Sequence, residues 1–317
     1  MSINRDIYKN FCKNETSIPL FSQYWWLQAV ADNEWDVCIV EDNGVIEATM
    51  PYCIQSRMGF KLLTQPKLTQ TMGPWLRSSA SDSQHKILSR EKCLHENLIQ
   101  QLPNFAFFRQ NWNYLNQNWM AFYQNGFKQT TRYTYRFNDI DNVDLIWKGM
   151  RKNIKSDINK AKKKYKLVVN KDSNIEDFIA LYKQTFERQK KDAPYKEGDI
   201  FKLYKECKKN DKCKIFIAQD NDGCNYAGSF LVWDDSTIYY LLGGSDNKYR
   251  STGAISLCIW EAINFAQKEN KSFDFEGSMI PSISKYFRAF GAEQVPYFTL
   301  SKSNSKIVNV INFFLAR

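Results

Sequence analysis

The sequence predicts a mixed α/β protein: two tandem units, each an α+β arrangement of mixed sheet and helices, with a basic helical segment between them. Three observations lead there. Strand-like runs with a two-residue period alternate with helix-like runs whose apolar residues recur every three or four positions. The order of those runs in residues 1–140 recurs in residues 141–317. Residues 147–191 are strongly basic yet keep a helical apolar stripe, so they join the units as helix and not as a disordered linker.

The chain enters raggedly through residues 1–20. Phe21–Ala31 has helical spacing, with Ser22 placed to cap it and Trp25, Trp26 and Ala29 facing a core. Trp35–Glu41 and Val45–Gln55 read as strands joined by Asp42-Asn43-Gly44, a hairpin turn whose central residues tolerate positive φ. Phe60–Leu63 reads as a further strand, and Gly73-Pro74 marks Thr69–Leu76 as a loop. Arg90–Leu102 is helical and Phe105–Arg109 a short strand. Trp119–Asn125 is a helix ended by Gly126, and Tyr133–Phe137 alternates as a strand.

From Lys148 to Lys171 there are ten Lys or Arg and a single acid, Asp157. Trp147, Ile154, Ile158, Ala161 and Tyr165 share one helical face, while Arg151, Lys152, Lys155, Lys162, Lys163 and Lys166 occupy the rest. Ile175–Arg188 is a second amphipathic helix, broken by Ala193-Pro194-Tyr195, and Asp199–Lys208 a third. The second sheet begins at Lys214–Ala218. Thr237–Leu242 is a strand leading into the loop Gly243–Asp246. A helix opens near Gly253 with Ile255, Ile259, Ala262, Ile263 and Ala266 at helical spacing. Ser272–Phe275 is a strand closed by Gly277, Pro281–Phe290 a helix ended by Gly291, and Tyr297–Leu300 a strand completing the unit.

The halves correspond piece by piece. The hairpin EDNGVIEATMPY answers to QDNDGCNYAGSFLVW, the strand FAFFRQ to FDFEGS, and the helix end FYQNGF to FRAFGA. In both helix ends an aromatic, Phe122 or Phe287, stands four residues before the glycine.

Four stretches of the second half, Tyr239–Asp246 (YYLLGGSD), Trp260–Ala266 (WEAINFA), Phe273–Met279 (FDFEGSM) and Tyr286–Phe298 (YFRAFGAEQVPYF), resemble the GNAT acyltransferase superfamily, and within it the FemAB-like branch. The resemblance implies two tandem GNAT-like domains, residues 1–140 and 141–317, the second including the basic segment. It implies transfer of an acyl group, acetyl or aminoacyl, to an amine of a small-molecule or cell-envelope precursor acceptor. In GNAT enzymes main-chain N–H groups hold the acyl carbonyl where two strands splay, and the start of the next helix holds the pyrophosphate of acyl-CoA. Some FemAB-like members instead take aminoacyl groups from charged tRNA. The expected co-substrate is therefore acyl-CoA or aminoacyl-tRNA, with no permanently bound cofactor.

Candidate residues follow from these requirements. Tyr249–Ala254 resembles the superfamily's R-x-x-G-x-(G/A) phosphate loop, with Arg250 and Gly253 in place but the bulky Ile255 at its last position. Gly243, Gly244, Ser245, Arg250, Gly253 and Ala254 are the donor-binding candidates, although the same glycines suit a tight turn or close helix packing. In FDFEGS, alternation puts Asp274 and Glu276 on one face, where a carboxylate can take the proton of an incoming amine. Glu276, nearer the loop, is the stronger candidate, with an ion pair to Arg288 or Lys285 as the alternative use. Many GNAT enzymes place an acid tyrosine four residues before the last glycine. Here that residue is Phe287, and the third catalytic candidate, Tyr286, lies one step of about 100° around the helix. Arg151, Lys155, Lys162 and Lys163 are candidates for contacts to RNA phosphates or another anion, or form a solvated face.

The remaining composition sets limits. With 43% apolar and 25% charged residues and a net charge of +10, the chain favours anionic partners. No apolar run approaches the roughly 20 residues of a membrane span, and the N-terminus has no apolar signal core, so a cytoplasmic protein is expected. Eight scattered cysteines without a C-x-x-C pair, and only His85 and His95 beside them, predict no metal site. Cys38, Cys53 and Cys258 read as buried thiols. The competing reading is a non-catalytic, GNAT-derived binder of RNA or another anionic ligand. Membrane-surface docking through Ile307–Leu315 is a third.

Overall fold

The computed structural model of the chain describes residues 3–80, 83–187 and 192–305. Internal contacts divide it into two compact units, residues 1–132 with 296–317, and residues 133–295.

The first unit opens with α1 (Ile3–Asn14) and α2 (Tyr24–Ala31), followed by the hairpin β1 (Trp35–Asp42) and β2 (Val45–Arg57). Asn43 and Gly44 turn the hairpin at φ 49° and 80°, the left-handed geometry expected of Asn-Gly. β3 (Phe60–Thr64) and β4 (Trp75–Leu76) both pair antiparallel with β2. After α3 (Gln84–Gln100) comes β5 (Phe107–Asn111), parallel to β3 with Leu62 opposite Phe107. α4 (Met120–Gln124) and β6 (Lys128–Phe137) follow. Phe108, Trp112, Phe122 and Phe127 form much of the core, with Trp112 edge-on to Phe122 at 4.7 Å.

The second unit begins with α5 (Val143–Gly149) and α6 (Lys152–Asn159), which widens into a π turn at Lys160–Lys164. β7 (Val168–Asn170), α7 (Ile175–Glu187) and α8 (Glu197–Lys209) precede an antiparallel run of β8 (Cys213–Gln219), β9 (Asn225–Trp233) and β10 (Thr237–Ser245). α9 (Ala254–Lys268) crosses to β11 (Ser272–Asp274), parallel to β10, and α10 (Pro281–Arg288) follows. α9 is the centre of this core. Leu257, Cys258, Ile259, Ile263 and Ala266 are all but fully buried, each large aliphatic contributing about 2 kcal/mol. Ile154, Ile158 and Ala161 are buried in the same cluster, so the basic segment does turn an apolar stripe inward.

The final strand, β12 (Glu293–Ser303), corrects an expectation. It was to complete the second unit, but Thr299–Ser303 pairs antiparallel with Asn111–Phe107 of β5 in the first. Conversely β11 takes Arg136 and Phe137 of β6 opposite Asp274 and Phe273. The sheet orders are therefore β1-β2-β3-β5-β12 and β8-β9-β10-β11-β6, with β7 beyond β8. The same sequence of parallel and antiparallel pairs occurs in both, as a duplication requires. The last strand of each comes from the far end of the other half of the chain. The observed division thus falls at 132/133 and returns residues 296–317 to the first unit, where the sequence predicts 1–140 and 141–317. Alternation reports which face of a strand is buried, not which strand lies beside it.

Cys38, Cys53 and Cys258 are buried thiols as expected. Among the described residues no helix is long and apolar enough to cross a membrane, and no group of His, Cys, Asp and Glu could hold a metal ion. Ile307–Leu315 lies outside the described residues.

Candidate active site

β10 and β11 pair only from Thr237 opposite Ser272 to Tyr239 opposite Asp274. There β11 ends, while β10 continues to Ser245 against β9, with Gly243 opposite Ser229 and Gly244 opposite Gly228. The second edge of Tyr240–Ser245 has no strand partner among the described strands. The β9–β10 register also slips between Tyr240 and Leu242, a bulge that re-aims the backbone at this point. Main-chain amides on a strand edge without a strand partner are a means of polarising an acyl carbonyl.

Hydroxyl groups gather at this edge. The Tyr240 hydroxyl lies so close to Gly243 that a Cβ there would overlap it, and Ile255 closes the same spot. From α10, the Tyr286 hydroxyl meets Ser256 Oγ of α9 at 2.8 Å. Burial, then the neighbouring Tyr286, raises the Tyr240 phenol above its ordinary range. Burial also raises Tyr286, helped by the Asp157 carboxyl and opposed by the Ser256 hydrogen bond. Tyr286 therefore keeps its proton at neutral pH and can donate it. Phe287, in the position of the family's acid, is buried against Phe275 at 5.0 Å. Sequence reasoning missed Tyr240 and Ser256. Ser256 stands three residues after Gly253, in the first turn of α9, and that position was the available signal.

The two carboxylates part company. Asp274 is 3% exposed and ion-paired with Arg136 Nε at 3.6 Å. It also accepts hydrogen bonds from the Thr134 hydroxyl and, at 2.8 Å, from the Glu276 amide. Burial raises its pKa although Arg136, Thr134 and that amide all pull it down. Asp274 is thus committed to holding β6 and β11 together, which corrects its candidacy as a base. The partner is Arg136, not Arg288 or Lys285, because β6 is the neighbouring strand. Glu276 has left the strand, with φ 60°, so it does not continue the alternation that was to align it with Asp274. Burial and the nearby Asp274 carboxylate push its carboxyl well above the ordinary range, against Arg136. A carboxyl so perturbed, where β10 and β11 part, is a candidate for proton transfer.

The donor loop is built differently from the expectation. A Cβ on Gly244 would lie 2.5 Å from the Tyr182 amide nitrogen, so this glycine admits the backbone of α7. Ser245 donates its amide to Thr185 Oγ1 of the same helix at 2.9 Å. Gly253, at φ 84°, faces the main chain of Asp157, whose carbonyl a Cβ would overlap, and Lys160 Nζ donates to the Ser251 carbonyl. The end of α6 therefore covers the start of α9, where a coenzyme A pyrophosphate was expected. Ala254 is buried there and Arg250 exposed beside it. Gly244 and Gly253 thus serve helix packing on the sides that a Cβ would occupy.

The basic residues are also sorted. Lys162 and Lys171 pair with Glu261 of α9 at 3.1 and 2.8 Å, holding that carboxyl below its ordinary range against the effect of burial. Lys155 donates to the Lys148 carbonyl at 3.0 Å, and Lys163 is exposed. Arg151 lines a cavity at the start of α6.

Residues 148–279 match the family of acetyltransferase (GNAT) domains. The second unit is a GNAT domain. Over the whole chain the fold is the tandem GNAT fold, FemAB-like in its similarity to FemX. The FemX crystal structure superimposes with a TM-score of 0.66 at 14% identity, covering 94% of this chain and 96% of that one. L-PGS from Bacillus licheniformis gives 0.55 at 10% identity over 96% and 94%. A tandem GNAT protein from the clavulanic acid biosynthesis pathway gives 0.53 at 9% over 95% and 94%. At these identities the likeness is one of fold. No curated protein matches the chain by sequence.

Proposed function

We propose that this GNAT protein is a cytoplasmic N-acyltransferase that takes its acyl group from an aminoacyl-tRNA and passes it to an amine of a cell-envelope precursor. The observation that supports the choice of donor is the packing of Asp157 and Lys160 against the start of α9, where an acyl-CoA pyrophosphate would otherwise be expected to sit. The fold shared with FemX and with L-PGS supports the same reading. In the proposed reaction the unpartnered edge of β10 polarises the acyl carbonyl. Glu276, as its carboxylate, accepts the proton of the attacking amine. Tyr286, steadied by Ser256, protonates the departing ribose oxygen as the carbon–oxygen bond breaks.

The test is a transfer assay with the purified full chain, an amine-bearing cell-wall precursor peptide, and either labelled aminoacyl-tRNA or labelled acetyl-CoA. Label is expected in the peptide from the tRNA alone. Transfer from acetyl-CoA would overturn the choice of donor, and transfer from neither would favour a non-catalytic anion binder.

A further inference from the structure

A cavity of about 530 Å³ in the second unit is lined by Arg151, Lys152, Asn153 and Lys285. Arg151 caps α6 and is tied to the end of α10 by its amide, which donates to the Ala289 carbonyl at 3.0 Å. Lys285 comes from α10 itself. Three cations thus converge on one concavity that no carboxylate lines. Several other lysines of the unit have a carboxylate partner. Lys162 and Lys171 pair with Glu261, Lys183 with Glu197, Lys208 with Asp172 and Lys212 with Asp235. Like charges gathered without a counter-ion repel one another and concentrate an anion from solution. The N-terminal end of α6 adds to the field of the same sign. The volume suits a ligand larger than a single ion, within the roughly 300–1,000 Å³ of small-molecule sites.

We propose that this cavity binds the diphosphate group of a small ligand. Three positive side chains match the two to three negative charges of a diphosphate better than the single charge of one phosphodiester, and Arg151 supplies the forked donor set that suits phosphate oxygens. As a substrate pocket of the transferase the site rests on the function proposed above. As a diphosphate site it does not, and the test is of binding alone.

Inorganic pyrophosphate is titrated into the full-length protein by calorimetry, beside orthophosphate, a nucleoside diphosphate, coenzyme A and a short single-stranded RNA. One pyrophosphate is expected per chain, at least tenfold tighter than orthophosphate and weakening with salt. Lys285→Glu and Arg151→Glu are each expected to weaken it at least tenfold, and Lys285→Gln about threefold. Lys205→Glu, on α8, serves as the control for net charge and is expected to leave binding unchanged; thermal melts verify that each variant is folded. Binding of the nucleoside diphosphate or of coenzyme A, lost in Lys285→Glu, identifies the source of the diphosphate. Absence of saturable pyrophosphate binding, an equal loss in Lys205→Glu, or cavity-dependent binding of the RNA alone would overturn the proposal.

Discussion

The two units carry the same succession of strands and differ at one place. In the second, β10 outruns β11 and has no strand partner on that side among the described strands. In the first, β3 stops at Thr64 and the chain folds back to fill the corresponding gap. Gln65 Oε1 accepts the Asn111 amide at 2.7 Å, and the Met72 amide donates to the Asn111 carbonyl at 2.7 Å. The Asn111 side chain donates to the Gln70 carbonyl at 3.1 Å, and Met72 bridges to Trp112. Gly73 lets the Trp112 ring lie where a Cβ would be only 2.8 Å from it. These contacts fill the gap with the loop's own polar groups. A duplicated fold can thus close this gap with a loop in one copy and leave it without a strand partner in the other.

That contrast can be pressed hardest through the adjacent carboxylates of the second unit. Asp274→Asn should cost about 3–5 kcal/mol of stability, because Arg136 keeps its charge in the interior without its counter-ion, and denaturant unfolding would register it. Glu276→Gln should unfold at nearly the wild-type denaturant concentration yet lose at least about a hundredfold in turnover, roughly 3 kcal/mol of barrier. If Glu276→Gln keeps its turnover, the unpartnered strand edge has no base at this position. The wild-type rate should also fall with acid well above the ordinary glutamate range, since Glu276 must ionise to act and its pKa is raised.

The closed unit supplies the opposite test. His95 is buried between Trp112 and Phe122, and burial lowers its pKa to about 4. Its folded pKa lies below the unfolded value of 6.5, so its full stability is present above pH 6.5 and is lost as the pH falls toward 4. The loss amounts to up to about 3 kcal/mol. His95→Phe should flatten that acid limb of the stability curve and leave turnover untouched; a change in turnover would show that the first unit takes part in the chemistry. The smallest effect is expected of Tyr286→Phe, about tenfold in turnover, or 1.4 kcal/mol, with little change in unfolding.

Much of this was legible before any coordinates. The Asp-Asn-Gly hairpin, the apolar stripe of the basic helix and the burial of Cys258 follow from spacing and turn chemistry, which act within a few residues of chain. The candidate site was legible in part. Glu276 and Tyr286 stand out from sequence and remain the proposed acid–base pair, but the ion pair of Asp274 was not visible, because its partner Arg136 lies 138 positions away in sequence and its strand neighbour carries no local mark. Gly244 and Gly253 were seen as ligand glycines, whereas the bodies approaching them are the main chains of α7 and α6.

By itself, then, the sequence determined most of the helices and strands, though not α1 in the stretch read as a ragged entry or β4 in the stretch read as a loop, together with the faces they bury and the order in which that pattern repeats. Those properties arise from periodicity and local backbone preference. Tertiary structure alone decided which strand closes each sheet, which carboxylate is neutralised and which glycine is filled from outside. Each of these depends on groups brought together from distant parts of the chain, where burial strips water from a charge and leaves only the neighbours to replace it.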